Sequence, residues 1–369
     1  MESDHKIGIG IIGLSAKRGW AATAHVPAIR SNPEFEIRAL CASSPESATG
    51  AAEKIGVPLA FSNYKEMVNL PGIDLVVVTV KVPFHYELVT AALDAGKMVY
   101  CEWPLGNGLG EAKEMATTAR VKGIRTFTGL QARSAPEIRY VRDLIKSGYV
   151  GNVLSTSMVA SGNGWGGTTR PESLYQLDPR NGATLLTIPF GHAVDALCWC
   201  LGEFEEVTGT HAIRRPYAKM AGTGLEYPTE TDDQLAVSGI LESGAVASIH
   251  YRGGTSRGTN FLWEINGTEG DIQLTGNSHL QFGNIKIRGA NGTDTLLADL
   301  RVPSTYIEVA GDSMSQSFNL AQVYSSLLKD IRQNARTLPS FDDGLTRHKM
   351  IYCIEQAFES GKRQYLKDE

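Results

Sequence analysis

From Lys6 to about Gln131 the chain alternates short apolar, β-rich runs with stretches of helical period. Ile7-Gly8-Ile9-Gly10-Ile11-Ile12-Gly13 is apolar without a break, the pattern of a strand covered on both faces. The spacing predicts a helix around 22–31, a strand at 36–41, and a helix opening at Pro45, a residue suited to a first helical turn. The run Asp-Leu-Val-Val-Val-Thr-Val at 74–80 again reads as a strand buried on both sides. A helix over 83–95 stops at Gly96, and 98–102 and 124–129 supply further strands. Strands alternating with helices in this way predict a parallel, doubly wound sheet.

After Val150 the pattern changes. Strand-like runs at 154–160, 234–241, 245–252, 261–266 and 270–274 are separated by Gly-rich turns. Glu242-Ser243-Gly244 reads as a hairpin connection and Asn266-Gly267-Thr268-Glu269-Gly270 as a second turn. One amphipathic helix is predicted over 192–201, and helices near 319–333 and 344–360 close the chain. The fold class is therefore α/β plus α+β: a doubly wound parallel sheet followed by a domain on a large, mainly antiparallel sheet. The expected domains are 1–132, binding a dinucleotide, and 133–369, for substrate and self-association, with the helix of 344–362 placed to pack back on the first.

Composition narrows the function. A chain of 369 residues with 42% hydrophobic and 20% charged residues has the length of about two domains and enough apolar side chains for a full core. With 35 Lys plus Arg against 40 Asp plus Glu, the formal charge of −5 disfavours direct nucleic-acid binding but not action on DNA through a protein partner. No apolar run reaches the roughly 18–20 residues that span a bilayer, and the start of the chain lacks a basic, apolar leader, so a cytoplasmic protein without membrane contact is expected. The five cysteines are scattered, and Cys198-Trp199-Cys200 lies in an apolar helical pattern, which points to buried thiols rather than a disulfide framework or metal site. The Asn-Gly-Thr triplets at Asn266 and Asn291 read as turns.

Candidate chemistry begins where the first strand runs into Gly13-Leu14-Ser15-Ala16-Lys17-Arg18-Gly19-Trp20. A dinucleotide site needs a tight turn, close backbone approach to the pyrophosphate and a helix N-terminus facing its charge. Gly13, Leu14 and Ser15 are the candidate residues, although Ser15 stands where a second glycine is usual and the loop is longer than G-x-G-x-x-G. The second strand ends in Ala42-Ser43-Ser44-Pro45, without the carboxylate that takes the ribose hydroxyls of NAD. Ser43 and Ser44, with Lys17 or Arg18 near, would tolerate a 2′-phosphate, which favours NADP over NAD; they equally suit capping of the helix at Pro45.

The N-terminal strand-loop, His25-Val26-Pro27-Ala28-Ile29, Cys101-Glu102-Trp103-Pro104-Leu105 and Gly191-His192-Ala193-Val194-Asp195 together resemble the glucose–fructose oxidoreductase / inositol dehydrogenase / MocA family of NAD(P)-dependent oxidoreductases. The resemblance covers nearly the whole chain and implies a Rossmann domain followed by the antiparallel-sheet domain. Val80-Lys81-Val82-Pro83-Phe84-His85-Tyr86, Leu130-Gln131-Ala132-Arg133 and Ser161-Gly162-Asn163-Gly164-Trp165 look nearest to the branch of fungal galactose-pathway repressors, which keep the fold and cofactor but act by protein contact. Family enzymes carry a lysine in a Glu-Lys-Pro motif near the nicotinamide; Trp103 stands there in this chain, and an indole can neither transfer that proton nor supply a charge. The acid that usually precedes the substrate-domain histidine is also missing from Leu186-Thr187-Ile188-Pro189-Phe190-Gly191-His192.

By this resemblance His192 is the acid–base residue, a role its near-neutral intrinsic pKa suits. Asp195, three residues on, could orient His192 or a ligand, and Lys81 is either a catalytic and cofactor contact at a strand end or a solvated surface group. His85, Glu102 and Trp103 join the cofactor set, and Trp103, Arg133, Trp165 and His192 the substrate set, with Tyr251 a weaker candidate. Gly162–Gly167 is either a wall of a sugar-sized cleft or a plain strand connection. The expected activity is hydride transfer between nicotinamide and a hydroxyl or carbonyl of a sugar-like or cyclic polyol, in a homodimer or homotetramer formed through the sheet. The alternative is a non-catalytic, NAD(P)-sensing co-regulator. A third possibility is a redirected reaction at Trp103, such as imine reduction or elimination through a keto intermediate.

Overall fold

The computed structural model describes residues 5–15, 19–277, 279–281 and 284–366. The chain forms two compact units, Met1–Ser134 with Glu308–Thr346 and Ala135–Ile307 with Arg347–Glu369. Its α-helices are α1 (Val26–Arg30), α2 (Pro45–Ile55), α3 (Tyr64–Val68), α4 (His85–Asp94), α5 (Leu109–Lys122), α6 (Pro136–Lys146), α7 (Gly191–Leu201), α8 (Phe318–Gln333) and α9 (Phe341–Ser360).

In the first unit β1 (Ile7–Ile12), β2 (Phe35–Cys41), β3 (Leu59–Phe61), β4 (Leu75–Val78), β5 (Met98–Cys101) and β6 (Thr126–Thr128) form one sheet, all parallel, in the order β3-β2-β1-β4-β5-β6. Every residue of β1 and β4 is buried, as their unbroken apolarity predicted. Alternate side chains serve two cores. Ile9, Ile11, Leu75, Val77, Tyr100 and Phe127 enter one, and Ile12, Val76, Val78, Val99 and Cys101 the other. The helix expected over 22–31 is a π-helical turn, Ala21–His25, leading into α1. That expected over 83–95 opens as a 3₁₀ turn, Val82–Phe84, before α4.

The largest departure from the sequence pattern concerns residues 308–346. They were grouped with everything after 133, but they complete the first unit. The cause is packing: Leu320, Ala321, Val323, Tyr324 and Leu327 of α8 lie in the same core as Ile9 and Leu75, because a parallel sheet must be covered on both faces. Phe341, at the start of α9, joins the opposite core, while residues from Arg347 onward belong to the second unit.

The strands of the second unit are β7 (Val153–Gly162), β8 (Thr168–Thr169), β9 (Phe204–Ala212), β10 (Tyr217–Met220), β11 (Glu226–Pro228), β12 (Gln234–Leu241), β13 (Val246–Gly253), β14 (Phe261–Gly267), β15 (Gly270–Gly276), β16 (Lys286–Asn291), β17 (Ala298–Asp299) and β18 (Gln364–Tyr365). Nine of them form a sheet in the order β17-β16-β15-β14-β7-β13-β12-β9-β18, antiparallel except for β7 against β13. Strands β11, β10 and β8 make a small separate sheet; they are too short and charged to show a period. Strict alternation along β13 buries Ala247, Ile249 and Tyr251. The helix α7 is not amphipathic as expected: every residue but Trp199 is buried. Asn266, read as a turn residue, lies within β14 and donates through Nδ2 to Asp271 Oδ1 of β15 at 2.6 Å. The cysteines are free thiols, with Cys41, Cys101, Cys198 and Cys200 buried. No helix among the described residues is long and apolar enough to cross a membrane.

If α8 is part of the first core, Leu327→Ala, at a fully buried position, should cost about 2–5 kcal/mol. The check is a lowered urea midpoint at an unchanged slope.

Candidate functional site

In the first unit the strand order reverses between β1 and β4, and the crevice at the carboxyl ends of such strands is where an open α/β sheet takes its ligand. Gly13 closes β1 with φ +100°, and a Cβ there would lie 2.8 Å from Val80 Cγ1 and 3.0 Å from Thr79 Oγ1. Only glycine meets both demands. The turn is fastened on either side: Gly13 N–H donates to the Cys41 carbonyl at 2.9 Å, and Thr79 Oγ1 donates to the Ile12 carbonyl at 2.9 Å. Leu14 is buried in the core, so only its backbone can serve a ligand. Ser15 is half-buried, and Lys17 and Arg18 lie outside the described residues. At the end of β2, Ser44 Oγ accepts from Ser47 N–H at 3.2 Å as the N-cap of α2, while Ser43 is exposed.

At the ends of β4 and β5 stand the exposed Lys81, half-buried Glu102 and buried Trp103. Glu102 continues the ladder, donating its N–H to the Val78 carbonyl at 3.1 Å. Its Oε1 lies 2.9 Å from His25 Nε2, and His25 Nδ1 lies 2.8 Å from the Tyr324 hydroxyl. His25 ends the π-helical turn, and its ring meets Tyr100 and Tyr324 edge-on. His85 is buried between two carbonyls, Pro104 O at 2.9 Å from Nδ1 and Val80 O at 3.0 Å from Nε2. Burial pushes its pKa down, against the pull of those carbonyls. It therefore ties the β4 and β5 loops together instead of facing a ligand. Arg133 is paired with Asp343 at 2.9 Å, its side chain one-tenth exposed, so a substrate would have to compete with that carboxylate.

In the second unit a π-helical turn, Leu186–Phe190, leads into α7 and sets His192 in its first turn; such turns are frequent at functional sites. His192 is 5% exposed, and its Nδ1 has no hydrogen-bond partner among the described residues. Burial, aided by the neighbouring His279, holds its pKa well below the ordinary value, so the ring is neutral near pH 7. The two rings are edge-to-face at 6.1 Å, and Tyr251 lies at 6.1 Å from His279. The buried Tyr251 hydroxyl likewise lacks a partner. His279 is satisfied by the backbone: Nε2 donates to the Pro189 carbonyl at 2.7 Å, which leaves Nδ1 to accept from Gln281 N–H at 3.3 Å. Burial lowers its pKa to about 4.

Asp195 does not serve His192. It is fully buried and paired with Arg347 Nε at 3.4 Å. Arg347 is itself fully buried, held also by Glu203 at 2.8 Å, with Cys198 Sγ at 3.2 Å. Three residues along a helix buried on nearly all sides is no guarantee of a shared environment, and Asp195 is a structural counter-ion. Trp165 Nε1 donates to the Ala183 carbonyl at 2.9 Å. Gly166 packs so tightly on Gly254 that a Cβ would come within 2.6 Å of its Cα. Packing thus accounts for Gly162 and Gly166, whereas a Cβ at Gly164 would meet no tight contact.

The first unit therefore gathers Gly13, Leu14, Ser15, Ser43, Ser44, Lys81, His85, Glu102 and Trp103 at the carboxyl ends of its strands, with Arg133 after β6. The second holds His192 and Trp165. Sequence reasoning overlooked Tyr324, His279 and Arg347, and singled out His25 only as part of a motif. No local period marks them, because each meets its partner across a long stretch of chain. Among the described residues no group of His, Cys, Asp and Glu could hold a metal ion.

Comparison with known proteins agrees with this division. Residues 7–130 match the oxidoreductase family model with NAD-binding Rossmann fold, and residues 136–276 match the Gal80p C-terminal domain model. The chain is 27% identical over 372 residues to the dehydrogenase aclE of Aspergillus oryzae, covering 97% of each. It is 30% identical over 293 residues to the galactose/lactose metabolism regulatory protein GAL80 of Saccharomyces cerevisiae, covering 74% of this chain and 67% of that one. Among solved structures, a super-repressor mutant of Gal80p from Saccharomyces cerevisiae superimposes with TM-score 0.89 at 24% identity over 98% of both chains. Levoglucosan dehydrogenase in complex with NADH and L-sorbose gives TM-score 0.85 at 21% identity, covering 99% of this chain and 100% of that one.

The low pKa of His279 has a consequence for stability. Between about pH 6.5 and 4 the unfolded chain takes up a proton that the folded imidazole refuses, so stability falls as pH drops through this window. His279→Gln should flatten the fall in melting temperature between pH 6.5 and 4; an unaltered profile would refute the assignment.

Proposed function

We propose that this chain, which belongs to the glucose–fructose oxidoreductase / inositol dehydrogenase / MocA family near its Gal80-like branch, is an NAD(P)-dependent oxidoreductase acting on a hydroxyl or carbonyl of a sugar-like or cyclic polyol. The observation that carries the reading is His192, a buried, neutral imidazole whose Nδ1 has no partner among the described residues. Leaving such an atom unpaired costs about 1–3 kcal/mol, which a substrate hydroxyl would recover. The levoglucosan dehydrogenase solved with NADH and L-sorbose has the same fold.

The residues at the carboxyl ends of the first sheet fit a dinucleotide. The strand order supplies the crevice, Gly13 permits close backbone approach, and Ser43 offers an exposed hydroxyl at the end of β2, while Ser44 caps α2 and bonds the Glu46 carboxylate. When bound, the dinucleotide supplies the site that takes or gives the hydride. His192 accepts the substrate hydroxyl proton as that carbon is oxidised, and returns it in the reverse direction. Because burial disfavours the imidazolium, His192 stays in its accepting form well below pH 6.5. Trp103 offers no proton, but its indole can pack on a ring.

A second reading is favoured by Trp103 and by the similarity to the regulatory protein GAL80: a cofactor-sensing regulator that acts by protein contact. Steady-state turnover separates the two. With saturating NADP+ or NAD+ and a sugar and polyol panel, nicotinamide reduction should be seen at 340 nm, and His192→Asn should lower kcat by about 100-fold or more. Its oxidative kcat/KM should stay level from pH 8 to pH 6. No turnover sensitive to His192 would leave the regulator. Separately, NADP+ should bind more tightly than NAD+, and Ser43→Asp should reverse that order, measured by calorimetry.

A further inference from the structure

Glu102 is the acidic side chain at the carboxyl end of β5, and its charge is not neutralised by the groups bonded to it. The state of this carboxylate traces back to Tyr324. This tyrosine is fully buried, and burial raises its pKa well above the ordinary value, so it keeps its proton. The only hydrogen-bond partner of its hydroxyl among the described residues is His25 Nδ1, at 2.8 Å. With the hydroxyl proton directed at this partner, the hydrogen bond favours the His25 tautomer whose Nδ1 is the acceptor. An imidazole that accepts at Nδ1 carries its single proton on Nε2 and is neutral. That proton is donated to Glu102 Oε1, 2.9 Å away. The chain of donors runs Tyr324 to His25 to Glu102, and the full negative charge stays on the carboxylate. Trp103, the next residue, brings no cation, and Lys81 at the end of β4 is exposed, where water and salt screen it.

We propose that Tyr324 and His25 act as positioning residues that keep Glu102 an oriented, uncompensated carboxylate, and that this charge makes the first unit bind the oxidised, cationic nicotinamide in preference to the reduced, neutral one. The inference rests on the dinucleotide reading above and extends it from the cofactor to its redox state. With a nicotinamide bound at the carboxyl ends of β4 and β5, a carboxylate there would favour the ring that carries the positive charge, by about tenfold at the effective dielectric of a partly buried site. It holds whether the chain turns over substrate or senses the cofactor, since it concerns binding alone.

The test is calorimetric titration of the full chain with NADP+ and NADPH, without substrate. The wild type should bind NADP+ about tenfold more tightly. Glu102→Gln, which keeps the shape and removes the charge, should bring the ratio towards one. Tyr324→Phe keeps the ring that stacks on Tyr100 at 6.2 Å but withdraws the hydroxyl. The hydrogen bond that orients His25, and through it Glu102, is then lost, so the ratio should fall by a smaller factor, about threefold. In the double variant Tyr324→Phe should add nothing to Glu102→Gln, whereas a merely structural tyrosine would lower both affinities alike and leave the ratio fixed. Circular dichroism confirms that each variant is folded. A wild-type ratio of one or below, or a ratio unmoved by Glu102→Gln, overturns the proposal. Failure of either form to bind overturns the dinucleotide reading beneath it, which is a different result.

Discussion

A parallel sheet of near-continuous Val, Ile and Leu has no face that tolerates water, and the architecture of the first unit follows from covering both. The crossover helices cover much of it, but the core around Ile9, Ile11 and Leu75 is completed by α8, drawn from the far end of the chain. That return has a chemical effect as well as a packing one. It carries Tyr324 into the same core, behind His25, and so fixes the tautomer of an imidazole that supports Glu102. A demand for apolar cover thus sets the electrostatics at a strand end.

Buried polar groups then separate into two kinds. His85, His279 and Asp195 are each satisfied by backbone or by a charge partner, and a satisfied group holds structure together. His192 Nδ1 and the Tyr251 hydroxyl are not. The contrast is more informative than burial or residue type, since His192 and Asp195 lie on one helix, three residues apart, and fall on opposite sides of it. Absence of a partner alone does not mark a site. Arg142 Nε is also unpartnered, yet its guanidinium lies 4.0 Å from the centre of the Trp199 ring, where stacking explains its place.

The same distinction explains what could be read in the sequence. Strands β1 and β4, the hairpin partners of the second sheet and the helices near their ends were legible, because each rests on a local period. The tight turn at Gly13 was legible from motif and position. Asp195 was misread because spacing along a helix says nothing about a guanidinium 152 residues away, and the place of α8 was misread because an amphipathic helix does not state which core it fills. Tyr324 meets His25 across 299 residues, a pairing that no window of sequence contains.

Trp103 is where fold and chemistry pull apart. A buried indole at the end of β5 supplies neither an acidic proton nor a positive charge, and these two absences act differently. A proton acceptor is present elsewhere in the chain, since His192, with its depressed pKa and open Nδ1, is chemically able to take a hydroxyl proton. A missing charge cannot be replaced by an imidazole that Tyr324 holds neutral. The indole therefore bears less on whether a hydroxyl can be deprotonated than on which redox state of a nicotinamide would be held. A carboxylate beside an indole, oriented by a histidine and a tyrosine, would give this site an affinity that depends on the charge of its ligand. That property would serve a dehydrogenase that must release its reduced product, and it would equally serve a regulator that reports the state of the pool.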